Sequence, residues 1–159
     1  MKNQKNNHLL KKLFENYKSI KDKKFNFPLL NNGYSKKDLI EGAKTLISGN
    51  LTMGQKTRIF EKYFAKKIGA KYALMVNSGS SANLLAFFCI TNVLKKNRVI
   101  KGSECIIPAV CWSTTLCPII QSGLKPVFVD VDLNSFCIDY SKLVKKDTKK
   151  TKVIILVNV

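Results

Sequence analysis

The sequence predicts an α/β fold in which a mainly parallel sheet is flanked by helices. Three observations carry that expectation. After Gly69, apolar runs of strand length alternate with segments of helical length, the pattern of parallel strands joined by right-handed crossover helices. The stretch "YALMVNSGSSANLLAFF", residues 72–88, sets a small polar turn between two uncharged apolar runs, as where a buried strand passes into a buried helix. The closing "KVIILVNV" is almost wholly apolar, as strands covered on both faces are.

The elements follow in order. Leu9, Leu10, Leu13, Phe14, Tyr17 and Ile20 recur at helical spacing, so the chain opens on an amphipathic helix. A polar connector over 21–34 follows, which makes 1–34 a terminal helix with its linker and 35–159 part of a larger domain. Ser35-Lys36-Lys37-Asp38 reads as a capping box opening a helix to about Ser48, because the Ser hydroxyl and the Asp carboxylate can satisfy each other's backbone N–H groups. "SGNLTMG" breaks that helix. Ile59, Phe60, Tyr63, Phe64 and Ile68 form the next apolar stripe, which Gly69 can end in the left-handed conformation. Strands are then predicted over 72–77, 104–108, 125–129 and 152–159, with helices over 81–95, 113–122 and 140–145 between them. Pro118 falls inside the second of these helices, where it removes a hydrogen bond and predicts a kink or a later start. A final strand with no helix after it to cover it predicts that the 159 residues are the N-terminal portion of a longer protein.

With 45% apolar residues the chain can build a core, and it lacks the low hydrophobicity of disorder. No apolar run reaches the roughly 18 residues needed to span a bilayer, and the N-terminus has no secretory signal pattern, which predicts a cytoplasmic protein with no membrane partner. Cys89, Cys105, Cys111, Cys117 and Cys137 never form C-x-x-C and mostly lie in apolar segments, so neither a disulfide framework nor a metal site is expected. His8, the one histidine, sits in a Lys-rich terminal segment, which sets aside Ser-His and Cys-His mechanisms. The formal charge of +18 invites nucleic acid. Its distribution disfavours that partner: the excess is nearly all lysine, with only Arg58 and Arg98 able to make bidentate contacts, and 72–94 carries no charge. A basic segment binding a polyanion stays open as the alternative of another class.

If the strands are parallel, the loops after 72–77 and after 104–108 open at one carboxyl edge, where open α/β sheets bind ligands. Ser78-Gly79-Ser80-Ser81 at a helix N-terminus offers outward backbone N–H groups, a favourable dipole and, at Gly79, no side chain to block close approach; this is phosphate-binding geometry. It matches neither G-x-x-x-x-G-K-[ST] nor G-x-G-x-x-G. Trp112, the only tryptophan, stands in the second loop and suits a ligand with both a ring and a phosphate. The structural alternatives are that small polar turns serve turn geometry and that a lone Trp is core.

"SGNLTMGQKTRIFEKYFAKKIGAKYA", "ALMVNSGSSANLLAF" and "IIPAVCWSTTLCPIIQSGLKPVFVDVD" together resemble the DegT-type family of pyridoxal-phosphate-dependent nucleotide-sugar aminotransferases and 3-dehydrases, from about Asn31 onward. The resemblance implies the N-terminal part of a fold-type-I transferase large domain, acting as a homodimer with active sites at the subunit interface. It implies pyridoxal 5'-phosphate, or its pyridoxamine form, as cofactor. Gly79 and Ser80 match the positions that hold the cofactor phosphate, with Ser78 and Ser81 flanking, and Trp112 matches the aromatic against the pyridine ring. Thr52, Met53 and Gly54 match a turn near the active-site entrance, and Asp130 and Asp132 match residues that read as turn and cap positions rather than acids or bases. The Asp that pairs with the pyridine nitrogen, the catalytic Lys or His, and the sugar-binding segments come after residue 159 in the family, so the chain alone is expected to be inactive. The implied activity is amino transfer from an amino donor to a keto-sugar nucleotide for polysaccharide or deoxyamino-sugar synthesis; the alternative is 3-dehydration of a CDP-4-keto-6-deoxyhexose, to which "CITNVLKKNRVIKGSE" and "STTLCPIIQSGLKPVFVDVD" point.

Overall fold

The computed structural model describes residues 2–15, 33–52 and 54–158, which form two compact units, Met1–Met75 and Val76–Val159. In the first unit lie α1 (Lys2–Leu13), α2 (Lys36–Ser48) and α3 (Gln55–Ile68). Of the residues proposed for the terminal amphipathic helix, Leu10 is buried, whereas Tyr17, Ile20 and most of the connector lie outside the described residues.

The capping box is present. Asp38 Oδ2 accepts from Ser35 N at 2.7 Å and Ser35 Oγ accepts from Asp38 N at 3.4 Å. Gly49 and Gly69 close α2 and α3 with φ of 72° and 71°, angles that cost other residues a Cβ clash. Glu41 ties the two helices together, accepting from Lys44 Nζ at 2.7 Å and from Lys56 Nζ at 2.9 Å. Those hydrogen bonds, Lys44 first, and the two charges hold its carboxyl down from 4.5 to about 2. A carboxylate depressed in the folded state contributes stability that is fully present above its unfolded value and lost as pH falls through the folded one. The ion pairs of Glu41 therefore persist as pH drops below 4.5 and dissolve only near 2. A carboxyl-detected NMR titration is expected to place the Glu41 midpoint near 2, and a midpoint above 4 would mean that neither lysine engages it.

Residues 72–77 correct the sequence expectation: they form no strand and are not buried. Tyr72 is 78% and Leu74 72% exposed. An extended segment becomes a strand only by exchanging ladder hydrogen bonds with a neighbour, and among the described residues none pairs with it. Within the first unit Met75 N donates to Glu61 Oε1 at 2.8 Å.

The second unit holds α4 (Gly79–Thr91), β1 (Glu104–Pro108), α5 (Ser113–Gln121), β2 (Lys125–Val129), α6 (Tyr140–Lys146) and β3 (Thr151–Ile154). The strands make a parallel sheet in the order β2-β1-β3, with Glu104 opposite Lys125 and Pro108 opposite Val129. Side chains alternate across β1. Cys105 and Ile107 pack with Phe87 of α4, Ile119 of α5 and Leu124, whereas Ile106 packs on the opposite face with Val129 and Leu143 of α6. Helices thus cover both faces of β1, the expected α/β arrangement, and Cys105, Ile106, Ile107 and Ile119 are all 0% exposed.

Some boundaries shift. The helix expected over 81–95 runs from Gly79 to Thr91, because Ser78 caps it earlier and Asn92 leaves helical geometry at ψ 128°. Pro118 does not delay α5, which starts at Ser113; the proline lies buried inside the helix, which runs on to Gln121 without its N–H bond. The last strand ends at Ile154 rather than running to 159, although Ile155 N still donates to Ile106 O at 2.9 Å.

Candidate cofactor site

Ser78 is the N-cap of α4, with extended backbone at φ −159° and ψ 160°. Its Oγ accepts from Ser81 N at 3.2 Å and donates to Ser81 Oγ at 3.1 Å, so both flanking serines are engaged with each other. Ser78 O accepts from Ala82 N at 3.0 Å. Among the described residues no acceptor meets the N–H groups of Gly79 and Ser80, two of the orphan donors that begin every helix. A Cβ built on Gly79 would meet nothing within 4 Å, so the space beside the Gly79 Cα is open. α4 has no acid in its first turn to offset the positive end of its dipole.

Trp112 is the N-cap of α5 and 72% exposed. It is therefore not the core tryptophan of the structural alternative. α4 and α5 pack together, and their C-terminal turns share a groove of about 480 Å³ lined by Phe88, Thr91, Gln121 and Ser122. The two helices hence run the same way, and their N-termini, with Ser78 and Trp112, share the other end of the unit. That end is the carboxyl edge of the sheet, since α5 begins directly after β1. Strand order also reverses at β1: α5 leads to β2 on one side, and α6, on the opposite face, leads to β3 on the other. Such a reversal opens a crevice at the carboxyl ends of the diverging strands. Sequence reasoning brought the two loops to one edge but missed this switch point, which depends on where β3 pairs.

The other singled-out residues fall elsewhere. Thr52 and Gly54 belong to the first unit, where Gly54 is the N-cap of α3 and a Cβ there would come 3.3 Å from Asn50 O; Met53 lies outside the described residues. Asp132 is a turn residue, Oδ1 accepting from Asn134 N at 3.1 Å and Ser135 N at 2.9 Å, bonds that lower its pKa, those from Ser135 foremost. Asp130 instead pairs with Lys142 Nζ at 3.1 Å, and the cap of α6 is Asp139. Burial pushes the Cys105 thiol up to about 11 and raises Cys111 as well, so neither is activated as a nucleophile. Among the described residues no group of His, Cys, Asp or Glu could hold a metal ion.

Three parallel strands between helices, with the sheet order reversing at β1, make this the α/β fold of pyridoxal-phosphate-dependent transferases. The chain belongs to the DegT/DnrJ/EryC1/StrS aminotransferase family, whose model matches residues 34–159. It is 43% identical over 133 residues to GDP-4-keto-6-deoxy-D-mannose 3-dehydratase of Yersinia pseudotuberculosis, covering 84% of this chain and 34% of that protein. It is 31% identical over 115 residues to dTDP-3-amino-3,6-dideoxy-alpha-D-galactopyranose transaminase of Aneurinibacillus thermoaerophilus, covering 72% of this chain and 30% of that protein. The Escherichia coli GDP-4-keto-6-deoxy-D-mannose 3-dehydratase solved with bound hydrated PLP superposes with a TM-score of 0.76 at 42% identity, over 84% of this chain and 34% of that one. The chain thus spans about a third of the length of these relatives.

Proposed function

We propose that residues 35–159 form the phosphate-and-ring half of a pyridoxal 5'-phosphate site in an enzyme acting on a keto-sugar nucleotide. What supports this is that the N–H groups of Gly79 and Ser80 find no acceptor among the described residues and that Trp112, at the start of the helix packed beside α4, is exposed. The pieces fit the cofactor: an anion takes the free donors, the open space before Gly79 admits it closely, and a flat ring takes the flat apolar one. Gly79 and Ser80 would hold the phosphate, Ser78 and Ser81 would fix the loop, and Trp112 would lie against the pyridine. Thr52, Met53 and Gly54 are assigned to the substrate entrance on family resemblance alone. When bound, the cofactor delocalises the charge that develops at the substrate carbon, while the protein supplies orientation and excludes water.

Amino transfer onto the sugar is the main reading, with an amino donor as second substrate. The 3-dehydration alternative gains support from 43% identity to a 3-dehydratase against 31% to a transaminase. Supplying the full-length protein with a nucleotide-linked 4-keto-6-deoxysugar, amino donor and cofactor separates the two, since one yields an amino sugar and the other a 3-deoxy sugar. We infer a homodimer, consistent with the exposed stripe of Ile59, Phe60, Tyr63, Phe64 and Ile68 on α3. The cytoplasm is its inferred compartment; no helix among the described residues is long and apolar enough to cross a membrane.

Cofactor binding by the full-length protein is testable through Trp112, whose emission is the difference between the wild type and Trp112→Phe. Pyridoxamine 5'-phosphate, which cannot form Schiff bases with the many lysines, is expected to quench Trp112 fluorescence saturably. Trp112→Phe should retain affinity, read by absorbance, within a few-fold, and Trp112→Ala should weaken it about tenfold, as an aromatic stack of about 1 kcal/mol plus lost burial implies. Absence of saturable quenching in the wild type would sink the assignment.

A further inference from the structure

We propose that the loop joining α4 to β1, residues 92–103, is a contact point for an anionic lipid surface. Its sequence, "NVLKKNRVIKGS", sets Val93, Leu94 and Ile100 among the cations Lys95, Lys96, Arg98 and Lys101, and no acid stands between Glu61 and Glu104. Val93 is 73%, Leu94 91% and Ile100 64% exposed. Among the described residues no carboxylate pairs with any of the four cations.

The loop is held in shape. Asn92 Oδ1 accepts from Leu94 N at 2.9 Å and Asn92 O from Lys95 N at 3.0 Å, which makes a turn carrying Leu94 into solvent. Arg98 Nη1 donates to Val93 O at 3.0 Å, and Val99 N donates to Ile90 O at 2.9 Å, closing the base of the loop. Behind the turn, Val93, Val99 and Ile100 join Phe88 in the apolar wall of the groove of about 480 Å³, which Arg98 and Lys101 also line. Positive charge continues along this edge of the sheet: Lys125 N donates to Ser103 O and Glu104 N to Lys150 O, both at 2.9 Å, which brings the starts of β2 and β3 beside the end of the loop.

This mixture selects the occupant. Burying the loop beneath further protein would strand cations that have no acids to pair with. A second copy of the chain is disfavoured because it carries the same sign of charge, formally +18. Nucleic acid would engage the cations and leave the apolar tip in water. An anionic bilayer takes both, its headgroups meeting the lysines while Leu94 enters the boundary between headgroups and acyl chains. The missing spanning segment predicted no membrane partner; contact at the surface needs no such segment.

Flotation of the full-length protein with vesicles tests this. Vesicles of equal parts phosphatidylcholine and phosphatidylglycerol should bind at least about tenfold more tightly than phosphatidylcholine alone at low salt, and the preference should shrink as salt screens the charges. Lys95→Gln combined with Lys96→Gln should weaken binding to the mixed vesicles about thirtyfold, at about fivefold for each lysine. Leu94→Gln, which changes no charge, should weaken it about tenfold, whereas Leu133→Gln, at a comparably exposed leucine in the turn after β2, should not. All variants should melt with the wild type, because each of these side chains is exposed. Equal binding to the two kinds of vesicle would overturn the proposal. So would equal binding by Leu94→Gln and the wild type, which would mean that the cations meet a polyanion, such as nucleic acid or an acidic protein, rather than a bilayer.

Discussion

Ile107→Ala is expected to destabilise the full-length protein by about 2–5 kcal/mol, the cost of deleting a buried aliphatic side chain and leaving a cavity. Ile107 is 0% exposed in β1, opposite Phe128 of β2. Its side chain lies in the cluster of Phe87, Cys105, Ile119 and Leu124, where α4 and α5 meet the sheet. The ladder with β2 fixes its backbone, so the site has little freedom to collapse onto the missing atoms. Val144→Ala on α6, where the side chain is 54% exposed, is the control and should change stability by no more than about 0.5 kcal/mol. Urea unfolding reads both, with the midpoint falling for Ile107→Ala at constant slope. A loss below about 1 kcal/mol would mean that this cluster is not the core of the unit.

Gly79→Val is expected to weaken pyridoxamine 5'-phosphate binding about a hundredfold while leaving stability within roughly 1 kcal/mol, the range of helix-propensity differences. The separation follows from the surroundings of Gly79. Its backbone is not in the left-handed region, and an added Cβ meets no protein atom within 4 Å, so nothing in the fold forbids a side chain there. What a side chain would fill is the open space beside the Gly79 Cα, next to its own N–H group. Hydrogen bonds to a charged group contribute about 1.5–3 kcal/mol each, and losing even one or two of them accounts for the factor. Binding equal to wild type would remove Gly79 from the cradle. Loss of stability comparable to a core truncation would show that the glycine serves the fold rather than the ligand.

Most of the local structure was legible from neighbouring residues. The capping box of Ser35 and Asp38, the left-handed ends at Gly49 and Gly69, and the serine-rich start of α4 each depend on hydrogen bonds or dihedrals within a few residues. β1 and β2 fell where expected because uninterrupted apolar runs flanked by turn residues define buried parallel strands. Residues 72–77 carry the same signal and are not a strand, since no segment among the described residues completes their ladder. Within the site, the sequence named Ser78, Gly79, Ser80, Ser81 and Trp112 as one group. It could not divide them into serines engaged with each other and N–H groups left open, because that division depends on a hydroxyl being 3.2 Å from one amide rather than another.

The sequence by itself determined the alternation of strands and helices, the helix caps, the small neutral turn before α4 and the family to which the chain belongs, because these are written in local periodicity, dihedral preference and ordered motifs. Only the tertiary structure decided that α4 and α5 lie side by side with their N-termini at one edge, that strand order reverses at β1, and that Trp112 faces solvent rather than the core. Those features arise from contacts between residues far apart in the chain. Burial of Phe87 and Ile119 against Ile107 sets where each helix sits, and pairing of β3 with β1 sets the order of the strands.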